Sequence, residues 1–331
     1  MTSKSLNCND GQCLELILLQ PSGKDYLWGG NRLRREYGKD LPCEPLAETW
    51  ECSTHPDGPS KVSEGRWAGM GLDEVLKAHP QWLGSRYAGQ NELPILIKFI
   101  DAAKDLSVQV HPDDAYALAH ENESGKTEMW YVLDAKPGAK IVYGFAHDVT
   151  KEQVLRSLEQ GHVTDYLQQI PVRKNDVFFV EPGTVHAIGG GVLLAEIQQN
   201  SNVTYRVYDY ERTDKHGHKR PLHVEKALDV MNLKCARSPR QNLRLMRYQP
   251  GSASEILCRC PYFQVDRVLV SSEYRLRVEA TSFQVLLVLE GEMRIGKTDM
   301  LTARKGDCVF LPADCGEVLV QGKGQLLQVF G

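Results

Sequence analysis

A chain of 331 residues, 42% hydrophobic and 25% charged, has an ordinary globular composition and is long enough for two domains. Its net charge of −4 and its lack of a long basic tract argue against binding to nucleic acid or to an anionic membrane surface. Residues 1–23 contain no charged segment leading into a long apolar run, so neither a secretion signal nor a membrane span is predicted. We therefore expect a cytoplasmic protein.

Short β-strands separated by Gly, Pro, Asn and Asp dominate the predicted secondary structure. Their frequency favours antiparallel sandwiches or barrels over alternating βαβ units. The strand-like segments are LPILIKFIDA, AKIVYGF, DVFFVEPG, GVLLAEIQ, VTYRVYDY, YFQVDRVLV, FQVLLVLEGEMRIG and DCVFLPA. Helical periodicity is limited to four segments, at residues 72–89, 113–122, 150–170 and 223–232. Thr150 and Gln153 form a capping box at the start of the third.

A polar stretch, LKCARSPRQN, follows the last predicted helix and marks a domain boundary near residue 235. All ten histidines lie between His55 and His223, so only residues 1–235 can hold an imidazole-based metal site. We therefore expect residues 236–331 to form a structural domain. The nine cysteines are scattered, odd in number and without a CxxC pair, which argues against a disulfide framework and a Cys-based zinc site.

The segment LSVQVHPDD, residues 106–114, is typical of a strand with one apolar and one polar face. Side chains alternate along a strand, so Gln109 and His111 share the polar face. Pro112 then ends the strand, because it has no N–H for the ladder. A polar strand face in an otherwise apolar sheet predicts either a solvent-exposed surface or a functional site.

Two further segments supply candidate metal ligands. In GKTEMWYVLDA, Lys126, Glu128 and Trp130 share a strand face, and in EPGTVHAIGGG His186 follows a Pro-Gly turn at the start of another strand. Two imidazoles, a carboxylate and an amide oxygen suit Zn²⁺, with Fe²⁺ or Mn²⁺ as alternatives. The candidate ligands of one ion per chain are Gln109, His111, Glu128 and His186.

The segment EIQQNSNVTYRVYDYERTD, residues 196–214, carries an unusual number of polar side chains. A strand with Glu196 and Arg206 in an apolar barrel needs partners, because a buried charge is costly unless paired. Beside a metal site, these polar side chains favour a strand face that lines the site and binds anions and hydroxyl groups. The alternative is a polar outer strand face with cross-strand ion pairs. Three histidines of the basic loop that follows are further candidates for substrate contact: His216, His218 and His223.

These segments resemble the short bacterial form of the type I, zinc-dependent mannose-6-phosphate isomerases, a family with the cupin fold. The motifs that carry the resemblance are YLWGGNRLRREYG, AETWECSTHPDGPS, LPILIKFIDAAKDLSVQVHPDD, GKTEMWYVLDA and EPGTVHAIGGGVLLAEIQQNSNVTYRVYDYERTD. It covers nearly the whole chain and is looser after residue 235. It implies an all-β-dominated fold of two cupin-type (jelly-roll) barrels with a few short helices. Residues 1–235 would form the catalytic, metal-binding cupin domain with short helical insertions, and residues 236–331 a degenerate cupin-like barrel without metal ligands.

The resemblance implies zinc-dependent interconversion of mannose 6-phosphate and fructose 6-phosphate through a cis-enediol, with one Zn²⁺ per chain on the four candidate ligands. Arg206 matches the family's active-site arginine, and Lys126 matches the lysine two residues before the ligand glutamate. Lys98 falls where related enzymes have a substrate-pocket lysine. Catalysis is thus expected from Arg206, Lys126 and Glu196, and substrate binding from Lys98, Lys126 and Arg206.

Three departures from the family pattern accompany these matches. Asn202 stands where the family usually has Asp, and Gly125 stands where longer relatives have His. The proline of EPGTVH is one position nearer His186 than in the commoner cupin pattern. The general base stays open among Glu196, Lys126, Lys98 and a zinc-bound water.

Two other function classes fit part of the pattern. An iron-dependent cupin oxygenase would want an open facial metal site and has no need for lysine and arginine beside the ligands. A non-catalytic sugar- or metal-binding cupin is the second, favoured by the missing carboxylate at Asn202. The expected partner is a small-molecule sugar phosphate, with no nucleic acid and no membrane, and a monomer is the expected state.

Overall fold

In the computed structural model, which describes residues 15–213, 217–237 and 245–331, β-strands predominate and the helices are short. This confirms the predicted all-β-dominated class. The strands of the described ranges are β1 (Ile17–Gln20), β2 (Ser22–Lys24), β3 (Glu48–Cys52), β4 (Lys61–Val62), β5 (Ile95–Ala102), β6 (Val108–Val110), β7 (Glu128–Ala135), β8 (Lys140–Phe145), β9 (Leu167–Pro171), β10 (Val177–Val180), β11 (His186–Ile188), β12 (Val192–Gln199), β13 (Tyr205–Tyr208), β14 (Arg247–Gln249), β15 (Ser252–Arg259), β16 (Gln264–Val270), β17 (Glu273–Val278), β18 (Gln284–Gly296), β19 (Met300–Arg304), β20 (Cys308–Leu311) and β21 (Gly316–Phe330).

The helices lie almost entirely in the first two thirds of the chain. The α-helices are α1 (Arg32–Tyr37), α2 (Leu72–Ala78), α3 (Asp114–Glu121), α4 (Lys151–Glu159) and α5 (Val224–Val230), and short 3₁₀ turns cover Pro80–Leu83, Ser85–Tyr87 and Val163–Tyr166. No helix among the described residues is long and apolar enough to cross a membrane.

Two of the four predicted helices are shorter than their sequence pattern suggested. The helix predicted over residues 72–89 is wrong in its second half. Pro80 disfavours helical backbone at the residue before it, and Gly84 takes a positive φ of 94°. The capping box of Thr150 and Gln153 is confirmed at α4. That helix ends at Glu159, however, and the end of the predicted segment forms β9.

The strands form three sheets whose internal pairings are antiparallel. The largest has ten strands in the order β14-β15-β16-β21-β18-β20-β1-β4, with β17 on β21 and β19 on β18. It is built from the C-terminal part of the chain, except that β1 and β4 come from the N-terminal part. Apart from these two strands, the described strands of the largest sheet lie between Arg247 and Phe330, and the domain boundary near residue 235 stays a prediction.

The other two sheets belong to the N-terminal part and enclose the candidate site. The six-stranded sheet has the order β10-β7-β12-β5-β3-β2, and the five-stranded sheet has the order β13-β6-β11-β8-β9. One buried apolar cluster contains Ile100 and Leu194 of the first sheet together with Ile141 and Ile188 of the second. The two sheets therefore pack face to face, and burial of each such side chain contributes about 1.5–3 kcal/mol.

The registers of these sheets decide which polar side chains meet. In the five-stranded sheet Gln109 lies opposite His186 on one side and Arg206 on the other. In the six-stranded sheet Glu196 lies opposite both Trp130 and Lys98. Residues directly opposite in a sheet point to the same face, so each sheet presents a row of polar groups. The facing apolar cluster directs both rows into the space between the sheets.

Candidate metal centre and active site

The two histidines of the candidate metal centre are held in one tautomer. Nδ1 of His111 lies 2.8 Å from the backbone oxygen of Val203, and Nδ1 of His186 lies 2.8 Å from that of Thr184. A carbonyl oxygen can only accept, so each Nδ1 carries the proton and each Nε2 keeps a free lone pair. This second contact of each ring is the usual arrangement of a metal-ligating histidine.

Both free imidazole nitrogens face the carboxylate of Glu128. Its oxygens lie 3.2 Å from Nε2 of His111 and 3.8 Å from Nε2 of His186, and the three ligand atoms fall within 4.8 Å of one another. Glu128 is buried, and its Oε1 accepts no hydrogen bond from the described residues. Two imidazole lone pairs that face a buried carboxylate form a nitrogen and oxygen donor set, which fits a divalent metal ion.

Gln109 reaches the same centre from the middle of β6. Its side-chain amide nitrogen lies 3.4 Å from Nε2 of His186, and a half-turn of the amide group would present its oxygen instead. The structure thus brings together the four residues predicted as metal ligands. Three of them form the compact group, and Gln109 borders it.

A turn before β11 carries His186 to this place. The Pro-Gly turn closes through a hydrogen bond from Thr184 N to the oxygen of Glu181, and Gly183 donates its N–H to the backbone oxygen of His111 at 2.8 Å. Gly183 has a positive φ of 83°, and a Cβ there would lie 2.8 Å from the oxygen of Val230. Glycine is therefore required where the two histidine-bearing segments meet.

A row of alternating charges runs along the inner face of the six-stranded sheet. The ammonium group of Lys98 lies 3.4 Å from Glu196 Oε1 and 3.8 Å from Glu48 Oε2. The ammonium group of Lys126 lies 3.0 Å from Glu128 Oε1. These side chains are buried, which is tolerable because each charge has an opposite charge beside it.

Two tryptophans fix the carboxylates of this row. The indole N–H of Trp130 lies 3.0 Å from Glu128 Oε2 and 2.9 Å from Glu196 Oε2, so one donor bridges the candidate ligand and its neighbour. The indole N–H of Trp50 lies 2.9 Å from Glu48 Oε2. Trp130 donates to Oε2 of Glu196 only, and Oε1 of Glu196 accepts no hydrogen bond from the described residues.

The protonation states follow from burial and from these neighbours. Burial, reinforced by the charge of Lys126, lowers the pKa of His111 to about 3, and burial also lowers the pKa of His186. Both rings are thus neutral at neutral pH, the form that binds metal. Burial opposes ionisation of Glu128, but Lys126 and His111 outweigh it and hold its pKa well below the usual value. Burial and the charge of Glu128 raise the pKa of Glu196 to about 7.

The metal centre opens into a cavity of about 240 Å³ between the two sheets. The four residues to which the family resemblance assigns catalysis or substrate binding line it, together with the candidate ligand Gln109. These predicted residues are Lys98, Lys126, Glu196 and Arg206. Its other lining residues are Tyr26, Trp28, Glu48, Ile100, Leu106, Ser107, Ile188, Asn202, Thr204 and Arg220.

Arg206 lies one strand away from Gln109, about 5 Å across the sheet. Its Nη1 donates to the backbone oxygen of Pro221 at 2.9 Å, and its backbone N–H donates to Nδ1 of His223 at 3.1 Å. Its Nε makes no hydrogen bond, and no carboxylate of the described ranges forms an ion pair with the guanidinium. Burial and the charge of Arg220 lower the pKa of Arg206.

The described loop histidines, which were candidates for substrate contact, lie outside the cavity lining. Of the three proposed to contact substrate, His216 lies outside the described residues. Neither His218 nor His223 is among the residues that line the cavity. His223 instead supports the backbone of Arg206, so its contact with the site is indirect.

Comparison with known proteins shows which family the chain belongs to. A family model described as the type I phosphomannose isomerase catalytic domain matches residues 16–137, and one described as the mannose-6-phosphate isomerase cupin domain matches residues 254–330. The mannose-6-phosphate isomerase of Streptococcus mutans is 40% identical over 301 residues, which are 90% of this chain and 92% of that protein. The chain belongs to the type I phosphomannose isomerase family.

Two further relatives show that the similarity covers nearly the whole chain and its fold. The probable mannose-6-phosphate isomerase GmuF of Bacillus subtilis is 39% identical over 313 residues, 92% of this chain and 96% of that protein. The crystal structure of the mannose 6-phosphate isomerase from Bacillus subtilis is 33% identical and matches with a TM-score of 0.88, covering 95% of this chain and 99% of that chain. Membership of this family argues against both an iron-dependent oxygenase and a non-catalytic cupin.

Two departures from the phosphomannose isomerase pattern have local causes. A Cβ at Gly125 would lie 2.5 Å from backbone atoms of Asp113 and Asp114, so no larger residue fits there without a backbone shift. The amide nitrogen of Asn202 donates to Asp57 Oδ2 at 2.7 Å. An aspartate at that position would oppose a second carboxylate, which explains the asparagine.

Sequence reasoning missed the lining residues Tyr26, Glu48 and Arg220. It also missed Trp50, which does not line the cavity but holds Glu48 through a hydrogen bond. Glu48 and Trp50 share a strand face in the segment AETWEC by the same period of two that predicted Glu128, so a signal for them was present. For Arg220 no local pattern pointed to the cavity, because it enters from a loop.

Proposed function

We propose that this chain interconverts mannose 6-phosphate and fructose 6-phosphate using one Zn²⁺ per chain. The observation that carries the proposal is the pair of Nδ1–H bonds that aim both imidazole lone pairs at a buried carboxylate. Relatives that cover about nine tenths of the chain carry the name of this activity. The proposed ligands are Gln109, His111, Glu128 and His186.

The charges of the site support a divalent cation. Lys98 and Lys126 bring two positive charges, whereas Glu48, Glu128 and Glu196 bring three negative ones, a formal excess of one negative charge. Mixed nitrogen and oxygen ligands without thiolate suit zinc. When bound, zinc supplies a Lewis acid that polarises the carbonyl and neighbouring hydroxyl group of the open-chain sugar.

Glu196 is the proposed general base. Its Oε1 accepts no hydrogen bond from the described residues, and its pKa of about 7 suits a group that takes and returns a proton near neutral pH. Glu196 removes the proton from C2 of the open-chain aldose, the C–H electrons form the C1–C2 double bond, and the carbonyl electrons move to O1. Transfer of the O2 proton to O1, and return of the abstracted proton from Glu196 to C1, give the ketose.

The two lysines have separate tasks. Burial alone would favour neutral Lys98, but Glu48 and Glu196 raise its pKa, so Lys98 stays protonated and orients Glu196. Lys126 lines the cavity beside His111, 3.4 Å from its Nε2, and can donate to a sugar oxygen at the metal end. Both lysines line the cavity, so we propose that both also contact the reacting end of the substrate.

Arg206 is proposed to stabilise the negative charge of the enediolate. It lies one strand from Gln109 and keeps an Nε donor without an acceptor among the described residues. A planar guanidinium that is desolvated and already positioned interacts strongly with charge that develops on oxygen.

We further propose that the chain consists of two cupin-type jelly-roll barrels. Residues 1–235 would form the catalytic barrel from the two open sheets that enclose the cavity. Residues 236–331 would form the ligand-free barrel, completed by β1 and β4. The match of residues 254–330 to a cupin-domain model supports the second assignment.

The test is a coupled assay with each sugar phosphate, together with metal analysis of the purified protein. Activity should disappear with a chelator and return with Zn²⁺, because ligands of this type release metal reversibly. Parallel reconstitution with Fe²⁺ and Mn²⁺ tests the assignment of zinc. Folded, metal-replete protein that converts neither sugar phosphate would contradict the proposal.

A further inference from the structure

The cavity has two ends with opposite charge balance. At the metal end, three carboxylates surround two ammonium groups at 3.0–3.8 Å. At the other end, Arg206 and Arg220 line the cavity, and Arg212 is linked to Arg220 through Asp209 without lining it. Asp209 pairs with Arg212 and Arg220 but not with Arg206, so three guanidinium groups stand against one carboxylate, a formal excess of two positive charges. A phosphate monoester carries about −1.5 to −2 charges at neutral pH, so it matches the second end.

Arg220 is held rigidly at this end. Its Nε lies 2.8 Å from Asp209 Oδ2 and its Nη2 lies 2.6 Å from Asp209 Oδ1, a two-pronged contact that fixes the plane of the guanidinium. Arg212 holds the same carboxylate from the other side and donates to the backbone oxygen of Asp105. Asp209 is buried, so this support is part of the protein interior.

The contact with Asp209 uses only one edge of the Arg220 guanidinium. Nη1 makes no hydrogen bond with any residue in the described ranges, and Arg220 lines the same cavity as Arg206 and the proposed base Glu196. A guanidinium with one edge fixed and one edge open to a cavity can bind a phosphate through two parallel N–H bonds. The lysines are less suited, because an ammonium group is a point charge and cannot offer two parallel N–H bonds in a fixed plane.

We propose that Arg220, positioned by Asp209 and Arg212, binds the phosphate group of the substrate. The sugar would then lie across Arg206, with its reacting carbons at the metal end and its phosphate at Arg220. This proposal rests on the proposed isomerase function, since it names the phosphate subsite of the same cavity. The arrangement selects phosphorylated over free sugars.

The experiment compares the KM for mannose 6-phosphate, the kcat, and inhibition by inorganic phosphate in wild type, Arg220→Ala and Arg220→Gln. Loss of a charged hydrogen-bond donor should raise the KM and the inhibition constant of phosphate by about 10- to 100-fold. Arg220→Gln can keep one contact with Asp209 and covers the case in which the alanine variant fails to fold. Arg304→Gln, which removes an exposed arginine paired with Glu292, is the control and should match wild type.

Direct titration of the metal-loaded proteins with inorganic phosphate separates this inference from the isomerase function. Phosphate binding that is lost in Arg220→Ala supports the subsite even if wild type turned over no sugar phosphate. An active wild type whose folded Arg220 variants keep the same KM and the same phosphate inhibition would overturn the subsite and leave the isomerase function standing.

Discussion

The space between the two N-terminal sheets and the interior of the C-terminal sheet are both built from antiparallel strands, yet their chemistry is opposite. In β7 and β12 the inward positions include Glu128, Trp130 and Glu196. In β18 and β21 the paired residues Val288 and Leu326 are fully buried in an apolar cluster. The strand framework therefore carries no chemistry of its own, and the inward side chains decide it.

The difference also has an energetic side. The desolvation cost of the buried ion pairs in the N-terminal site largely offsets their attraction, so these charged side chains contribute little to stability. Each buried aliphatic side chain of the C-terminal sheet contributes about 1.5–3 kcal/mol. The shared apolar cluster, which contains Phe99 and Phe310, couples the two parts. We therefore expect mutations in the first region to remove activity and mutations in the second to remove stability.

The largest expected effect on activity is that of His186→Ala. Loss of one imidazole should remove the metal and reduce kcat by ~10³-fold or more, because several kcal/mol of Lewis-acid stabilisation is lost. Elemental analysis alongside the assay checks this, and His111→Ala should behave in the same way. The exposed His162 offers a matched control, since His162→Ala should keep both metal and activity. Stoichiometric metal in both ligand variants would rule out the proposed centre.

Glu196→Gln should lower kcat by about 10²- to 10⁴-fold with metal content unchanged, because the amide cannot accept the C2 proton. In wild type the base must be ionised, so kcat/KM should fall about tenfold per pH unit as the pH drops below about 7, the pKa of Glu196. The glutamine still accepts the indole N–H of Trp130, which limits structural change. An unaltered pH profile in an active Gln variant would exclude Glu196 as the base.

Arg206→Ala should lower kcat by on the order of 10²–10³ while raising KM much less, if its interaction strengthens only in the transition state. Arg206→Lys should recover little, because an ammonium point charge does not reproduce a planar guanidinium. Zinc content and thermal stability should stay near wild type in both variants. Steady-state kinetics decide the role: a normal kcat with a raised KM would make Arg206 a substrate anchor instead.

The smallest effect on catalysis is expected from the apolar counterpart, Leu326→Ala. This cavity-forming change should lower the free energy of unfolding by about 2–5 kcal/mol and leave kcat per folded molecule and zinc content unchanged. Leu245→Ala, at an exposed leucine of the same C-terminal part, should change stability by less than about 0.5 kcal/mol. Denaturant titration measures both variants. A large fall in kcat in Leu326→Ala would show that the C-terminal sheet takes part in catalysis.

The period-two spacing of polar residues along single strands was sufficient to predict which candidate ligands share a strand face. Gln109 and His111 lie two residues apart on one strand face, and Glu128 and Trp130 repeat this spacing, so their shared orientation follows from backbone geometry alone. Periodicity also placed Lys126 inside a strand, whereas β7 begins at Glu128. The backbone N–H of Lys126 bonds instead to the oxygen of Pro112.

Helix limits were predicted less well than strand faces, because helix ends depend on single residues. The pattern over 72–89 satisfied helical periodicity on both sides of Pro80, but the chain continues there as 3₁₀ turns. By contrast, the capping box at Thr150 is a local hydrogen-bond pattern and formed as predicted.

The sequence by itself determined the β-rich class, the confinement of imidazoles to the first part of the chain and the residue types available as ligands. Those properties follow from composition and from the period-two alternation of a strand, which needs no knowledge of its neighbours. Only the tertiary structure decided that Gln109 lies between His186 and Arg206, since strand pairing joins segments far apart in the chain. It also decided that Arg220 faces the cavity, because Asp209, eleven residues earlier, holds its guanidinium there through an ion pair.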